Sequence, residues 1–179
     1  MPVCYMMVGF PGTGKSTLIK ELKKEMPHLV SVSSDEYIEK LAKEQGKNYN
    51  EVYQEAIEPA LKWLNQEIQN LIKKKKDFIW DQTNLVSSSR LKKINNLKNN
   101  GYDISAIIVE LSKEEHNRRL QKRVSEGGKF ISEKIIQNMM YLYERPTYNE
   151  GFNSIILISD DGFHKEIAVN KNLYNKDKF

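Results

Sequence analysis

Six apolar residues, Val3 to Val8, run directly into Gly9-Phe10-Pro11-Gly12-Thr13-Gly14-Lys15-Ser16, and helical spacing at Leu18, Ile19 and Leu22 then continues until Pro27. This order of strand, glycine-rich turn and helix constrains the fold more than any other feature. A strand apolar on both parities is buried on both faces, as in parallel sheets covered by helices. Short strands are expected again at Leu29–Ser33, Phe78–Trp80, Ile104–Leu111 and Ser154–Ile158. Helices are expected between them, including one from Ser87 to Asn99 closed by Asn100-Gly101, and one from Lys113 to about Val124. A further helix carries Ile135, Ile136, Met139, Met140 and Tyr143 on one face. From Val52 to Ile72 the positions Ile57, Leu61, Leu64, Ile68, Leu71 and Ile72 predict a long amphipathic helix, with Pro59 marking an early turn or a kink. The order βαβαα-βαβαα-β implies an α/β fold, a three-layer sandwich around a five-stranded, mostly parallel sheet.

A length of 179 residues with 39% hydrophobic side chains suits one domain with one sizeable core. The expected division is a domain over 1–160 and a polar, partly mobile tail over 161–179. A single cysteine, Cys4, excludes an internally disulfide-stapled scaffold and fits a reducing compartment. The apolar run from Val3 to Phe10 is far shorter than the roughly 20 residues that span a bilayer. With no basic segment before it and no small-residue cleavage site after it, the run reads as a strand, and a cytoplasmic protein is expected. The net charge of +4 permits polyanionic partners without demanding them.

Sheets of this kind bind ligands beyond the carboxyl ends of their strands, and Gly9, Asp35 and Asp81 all fall there. The octapeptide matches GxxxxGK(S/T) in full. Glycines at 12 and 14 let the backbone around Thr13 wrap with its N–H groups inward, and the next helix adds its positive end, making a nest for phosphate oxygens. Lys15 would reach the β- and γ-phosphates of ATP, and the Ser16 hydroxyl would ligate Mg²⁺. Transfer to an acceptor other than water also needs a base, for which Asp35 is the candidate. The alternative for Asp35 is a helix cap; the two roles coexist if Ser34 caps and Asp35 faces the cleft. Asp81 stands where an acid could serve the metal, through water, or the acceptor, with Thr83 and Asn84 lining the acceptor site; the alternative is a polar turn.

Arg119 and Arg123 share a helical face and precede Glu126-Gly127-Gly128-Lys129. They read as cations of a helical lid over about 116–131, able to stabilise charge on a transferring phosphate, or else as a solvated face paired with Glu114 and Glu115. Lys73–Lys76 reads as a solvated helix end, and His28, His116 and His164 lack metal-ligand spacing.

The segments GFPGTGKST at 9–17, VSVSSDEY with its acid, DQTN at 81–84 followed by SSSR, HNRRLQKR at 116–123 and ERPTYNEGF at 144–152 occur in that order. Together they resemble the 5′-kinase domain of phage and animal polynucleotide kinases, over roughly Val3 to Ile158. The resemblance implies a P-loop fold like that of nucleoside-monophosphate kinases, with ATP and Mg²⁺ as cofactors and a 5′-hydroxyl end of DNA or RNA as partner. It implies that Lys15 and Ser16 hold phosphate and metal, Thr17 contacts the α-phosphate, Asp35 is the general base, Asp81 is the second acid, and Arg123 with Arg119 serves the lid. Two departures stand out. Ile38 occupies the position of an acceptor-gripping arginine, and no DxDGT-like phosphatase element is present, so a kinase without phosphatase is expected. The competing readings are a small-molecule hydroxyl or nucleoside kinase of the same fold, and an ATP-binding regulatory module.

Overall fold

The computed structural model describes residues 1–159, and the expected tail at 161–179 lies outside them. The strands are β1 (Val3–Val8), β2 (Val30–Val32), β3 (Phe78–Trp80), β4 (Asp103–Val109) and β5 (Ser154–Ile158). The helices are α1 (Lys15–Glu25), α2 (Ser34–Glu44), α3 (Tyr49–Lys73), α4 (Ser87–Asn99), α5 (Lys113–Ser125) and α6 (Glu133–Leu142), with a 3₁₀ turn at Tyr148–Glu150. The five strands form one sheet in the order β2-β3-β1-β4-β5. Every neighbouring pair is parallel, with Met6 aligned to Trp80 on one side and Ala106 on the other.

Side-chain alternation along β1 builds two cores. Cys4, Met6 and Val8 meet Leu64 and Ile68 of α3 and Ile94 and Leu97 of α4 on one face. Met7 meets Ile19 of α1, together with Ile79 and Ile107, on the other. Burial on both faces explains why these strands lack a polar parity. Among the described residues, no helix is long and apolar enough to cross a membrane.

Two helices differ from expectation. α3 begins at Tyr49, because Asn48 accepts from the Glu51 amide while Glu51 returns the bond in a capping box, and it continues past Pro59 to Lys73. Its buried stripe is Val52, Ala56, Ala60, Leu64 and Ile68, a strict four-residue step, whereas Leu61 is exposed. The small alanines let α2 approach through Ile38 and Ala42. In α6 only Ile136 of the expected face is fully buried, while Ile135 and Met140 are exposed.

Candidate active site

The nucleotide loop spans the end of β1 and the start of α1. Gly12 and Gly14 have φ values of 84° and 101°, a region that L side chains rarely adopt. A Cβ at Gly12 would stand 2.8 Å from Leu120, and one at Gly14 would stand 3.0 Å from Arg119. The glycines therefore permit both the turn and the close approach of α5. Thr13 is buried, its hydroxyl donating to the Phe10 carbonyl at 2.9 Å, while Ser16 and Thr17 are exposed to the cleft. The Lys15 ammonium donates to the carbonyls of Gly9 and Phe10 at 2.9 and 2.8 Å. Burial brings its pKa down to about 8 against the opposing pull of Asp81 and Asp35.

The α5 face toward the loop carries His116, Arg119, Leu120 and Arg123, at i, i+3, i+4 and i+7. His116 is buried, and its Nε2 lies 2.8 Å from the Pro11 carbonyl, a bond that needs the proton on Nε2. Sequence spacing gave no role to this histidine, which anchors α5 to the loop. Arg119 donates to the Thr13 carbonyl at 3.1 Å and to Glu115 at 2.6 Å. Arg119 and Arg123 both line the cleft, whereas Arg118 is exposed and doubly bonded to Glu115. Hydrogen bonds from Arg118 and Arg119 hold the Glu115 carboxyl down at about 2. The cluster thus divides: one arginine serves the solvated face and two face the site.

Asp35 lies in the first turn of α2. The cap is Ser33, not Ser34: its hydroxyl accepts from the Asp35 amide at 3.2 Å, leaving the Asp35 carboxylate to the cleft. One carboxylate oxygen accepts from the Tyr49 hydroxyl at 2.6 Å and the other from Lys129 at 2.8 Å. Lys129 also reaches Glu39 at 2.7 Å and sits 3.9 Å above the Tyr49 ring. Burial opposes ionisation of Asp35, but Lys129, the Tyr49 hydrogen bond and Arg123 together bring its pKa below the ordinary carboxylate value. Asp81 is displaced the opposite way, raised by burial and only partly offset by Lys15. Lys129 is a site residue that sequence reasoning passed over. Its only local signal is its place after Gly127-Gly128.

Asp81, Gln82 and Thr83 line the same cleft, which has a volume of about 1100 Å³. Asn84, expected beside them, does not line this cleft and borders a smaller groove that shares Gln82 and Thr83. It is buried with φ 48°, its amide nitrogen donating to the Met7 carbonyl at 2.7 Å and its oxygen accepting from Lys93 at 2.6 Å. Asparagine tolerates this left-handed geometry and spends its side chain on holding the turn. Arg90, fully buried, donates to the carbonyls of Asn84 and Leu85 and makes a two-point pair with Glu150 at 2.7 and 2.8 Å. The DQTN, SSSR and ERPTYNEGF segments are therefore one network. The Gly9 amide, donating to the Thr83 carbonyl at 3.0 Å, ties that network to the nucleotide loop.

No group of three or more His, Cys, Asp or Glu among the described residues could hold a metal alone. Ser16 and Asp81 nevertheless place two hard oxygen donors in one cleft. That fits Mg²⁺, which is bound through one or two protein oxygens and substrate phosphates rather than by a protein cage.

Residues 5–146 match the model of AAA_33, an AAA domain family. The chain belongs to this family. The AAA domain also shares its fold with a candidate kinase from Chloroflexus aurantiacus, at 18% identity and a TM-score of 0.69, covering 88% of this chain and 85% of that one. A sugar kinase from Janibacter sp. HTCC2649 aligns at 18% identity and a TM-score of 0.60 over 89% of this chain and 86% of its own. A chain of the Pnkp1/Rnl/Hen1 RNA repair complex aligns at 25% identity and a TM-score of 0.62, covering 79% of this chain but 43% of that one. This AAA domain has the α/β P-loop architecture of kinases, and its family and nucleotide loop are those of a nucleotide-binding protein.

Proposed function

We propose that this AAA domain transfers the γ-phosphate of ATP to the 5′-hydroxyl end of DNA or RNA. The observation that carries the reading is the shared cleft: Lys15 of the nucleotide loop, Asp35 of α2 and the lid arginines Arg119 and Arg123 all line it. In the transfer, the acceptor O–H gives its proton to Asp35 as its oxygen bonds to the γ-phosphorus; the bridge between γ-phosphorus and β-phosphate oxygen breaks, and ADP leaves. Lys15, Arg119 and Arg123 face the negative charge of the moving phosphoryl group. Mg²⁺ held between Ser16, Asp81 and the nucleotide would neutralise phosphate charge. The polynucleotide acceptor is supported by the ordered resemblance of five segments and by likeness to a chain of an RNA repair complex.

The test is transfer of labelled γ-phosphate to a 5′-hydroxyl oligonucleotide. Asp35→Asn should cut the rate by about 10²–10⁴ while leaving ATP binding in place. Unchanged labelling in that variant would remove Asp35 from the role of base.

A second reading, a kinase acting on a small-molecule hydroxyl, is favoured by the α2 wall. Ile38 is 0% exposed in the α2–α3 core, and Glu36 and Glu39 line the cleft beside Asp35, so this wall offers a phosphate strand no cation of its own. ATP consumption with nucleosides or polyols, with no labelling of any oligonucleotide, would establish that reading.

A further inference from the structure

A carboxylate that takes a proton in the transition state needs a fixed direction as well as a place in the cleft. Ile38, three residues after Asp35 on α2, is 0% exposed in the α2–α3 core and carries no donor for this. The direction comes from α3 instead. The Tyr49 hydroxyl donates to Asp35 Oδ1 at 2.6 Å.

The fold holds that hydroxyl still. Tyr49 is the first residue of α3, where the Asn48–Glu51 capping box fixes the backbone. It stands three and seven residues before Val52 and Ala56, as Asp35 stands three and seven before Ile38 and Ala42, and those four residues belong to the core that joins α3 to α2. The packing that joins the helices therefore sets the distance between hydroxyl and carboxylate. The ring is held as well: Tyr53 lies against it with centroids 5.7 Å apart, and the Lys129 ammonium sits 3.9 Å from its centre while donating to Asp35 Oδ2 at 2.8 Å. Asn50, the next residue of α3, donates to the Phe130 carbonyl at 2.9 Å and ties the chain beside Lys129 to the same helix end. Tyr49 thus acts on both carboxylate oxygens, on one through its hydroxyl and on the other through the cation over its ring. A carboxylate oxygen accepts two bonds, so each keeps a site for the acceptor proton.

We propose that Tyr49 is the positioning residue of Asp35: its hydroxyl pins one carboxylate oxygen, its ring seats Lys129 on the other, and the carboxylate is thereby aimed at the acceptor hydroxyl. The assignment rests on Asp35 as the base, and it serves a polynucleotide end and a small-molecule hydroxyl alike. Tyr49 acts through Asp35, and the proton still passes from the acceptor to the carboxylate. Among the described residues, the cations facing Asp35 are Lys129, Arg123 of α5 and Lys15 of the nucleotide loop. The acids are Glu36 and Glu39 of α2 and Asp81 beyond β3, with Tyr53 beside Tyr49 on α3. Tyr49→Phe leaves all of these in place and removes one bond to the ionised carboxylate, so Asp35 titrates at higher pH in the variant.

The test compares Tyr49→Phe with Tyr37→Phe, which removes a hydroxyl from the same pair of helices, at the ring packed on Trp63. The assay uses γ-labelled ATP and whichever acceptor the wild type phosphorylates, a 5′-hydroxyl oligonucleotide or a nucleoside. Tyr49→Phe should lower kcat about tenfold with the KM for ATP unchanged, and should carry the acid limb of kcat/KM to higher pH. Tyr37→Phe should change neither. A Tyr49 hydroxyl that only braced the helices would lower the urea midpoint in the variant and leave kcat and the acid limb where they were; that result overturns the proposal. Failure of the base reading looks different, because Asp35→Asn would then transfer phosphate at the wild-type rate, removing the base and its positioning residue together. If neither acceptor is labelled, the Asp35 carboxyl carbon decides by NMR: its midpoint must rise in Tyr49→Phe and stay in place in Tyr37→Phe, and an unmoved midpoint in Tyr49→Phe is a refutation. Should Tyr49→Phe not fold, the ring carbon bearing the Tyr49 hydroxyl in the wild-type chain must shift with the same acid midpoint as the Asp35 carboxyl. A Tyr49 resonance that stays flat across that range overturns the pinning.

Discussion

Replacing Lys129 by methionine keeps the length and apolar stem of the side chain and removes the charge that joins the segment after α5 to α2. In the structure the Lys129 side chain is 11% exposed and its ammonium bonds Asp35 and Glu39 at 2.8 and 2.7 Å. A hydrogen bond between charged groups contributes about 1.5–3 kcal/mol when sheltered. Here the two carboxylates are 52% and 58% exposed, so solvent screening leaves roughly 1 kcal/mol for the Lys129–Asp35 coupling. The burial that opposes ionisation of Asp35 persists in the variant while its strongest counter-charge is lost, so its titration moves upward. Because the folded pKa of Asp35 lies below the unfolded value of about 3.9, its ionised form stabilises the protein above that pH. This contribution disappears as pH falls through the folded pKa, and Lys129→Met flattens that acid-side loss. The assay is a ¹³C NMR titration of the Asp35 carboxyl, joined to urea unfolding at pH 7 and about pH 2.5 and to hydrogen exchange over residues 126–132. Faster exchange over residues 126–132 and a raised Asp35 titration are expected. An Asp35 titration that stays in place or moves down would refute the coupling.

Three other substitutions probe separate parts of the site. Arg90→Met leaves Glu150 buried without its counter-charge and should cost about 3–5 kcal/mol in urea unfolding. His116→Ala removes the bond to the Pro11 carbonyl, about 0.5–1.5 kcal/mol, and should weaken nucleotide affinity by up to roughly tenfold in a fluorescent-ATP titration with little change in secondary structure by circular dichroism. Gly12→Ala adds a methyl 2.8 Å from Leu120 at φ 84°, so nucleotide binding should fall while the sheet core, monitored by tryptophan fluorescence, persists.

The features legible in the sequence are those written in local order. The β1 strand, the loop motif and the bounds of α4 at Ser87 and Asn99 follow from a few adjacent residues. So does the placement of Asp35 and Asp81, because a parallel sheet puts successive strand ends on one edge. What escaped depends on distant partners. Lys129 is one lysine among 23 until the chain after α5 lies against Asp35, 94 residues away in sequence. His116 gains its role from a carbonyl 105 positions earlier. Ala56 and Ala60 carry too little apolar weight to signal a buried stripe, and it is the proximity of α2 that makes them core. Asn84 looked like a ligand residue because its polarity says nothing of a left-handed turn or of the three groups its amide serves.

The Arg90–Glu150 pair sets a timetable for synthesis. The nucleotide loop, its strand and α1 lie within the first 25 residues of the chain, but the guanidinium that fixes the DQTN turn has no counter-charge until residue 150 has been added. An arginine cannot be buried alone at tolerable cost, so during translation the turn stays solvated through 60 further residues. The DQTN side of the cleft then takes shape late. A nascent chain stalled before Glu150 would carry the phosphate loop without the wall opposite it.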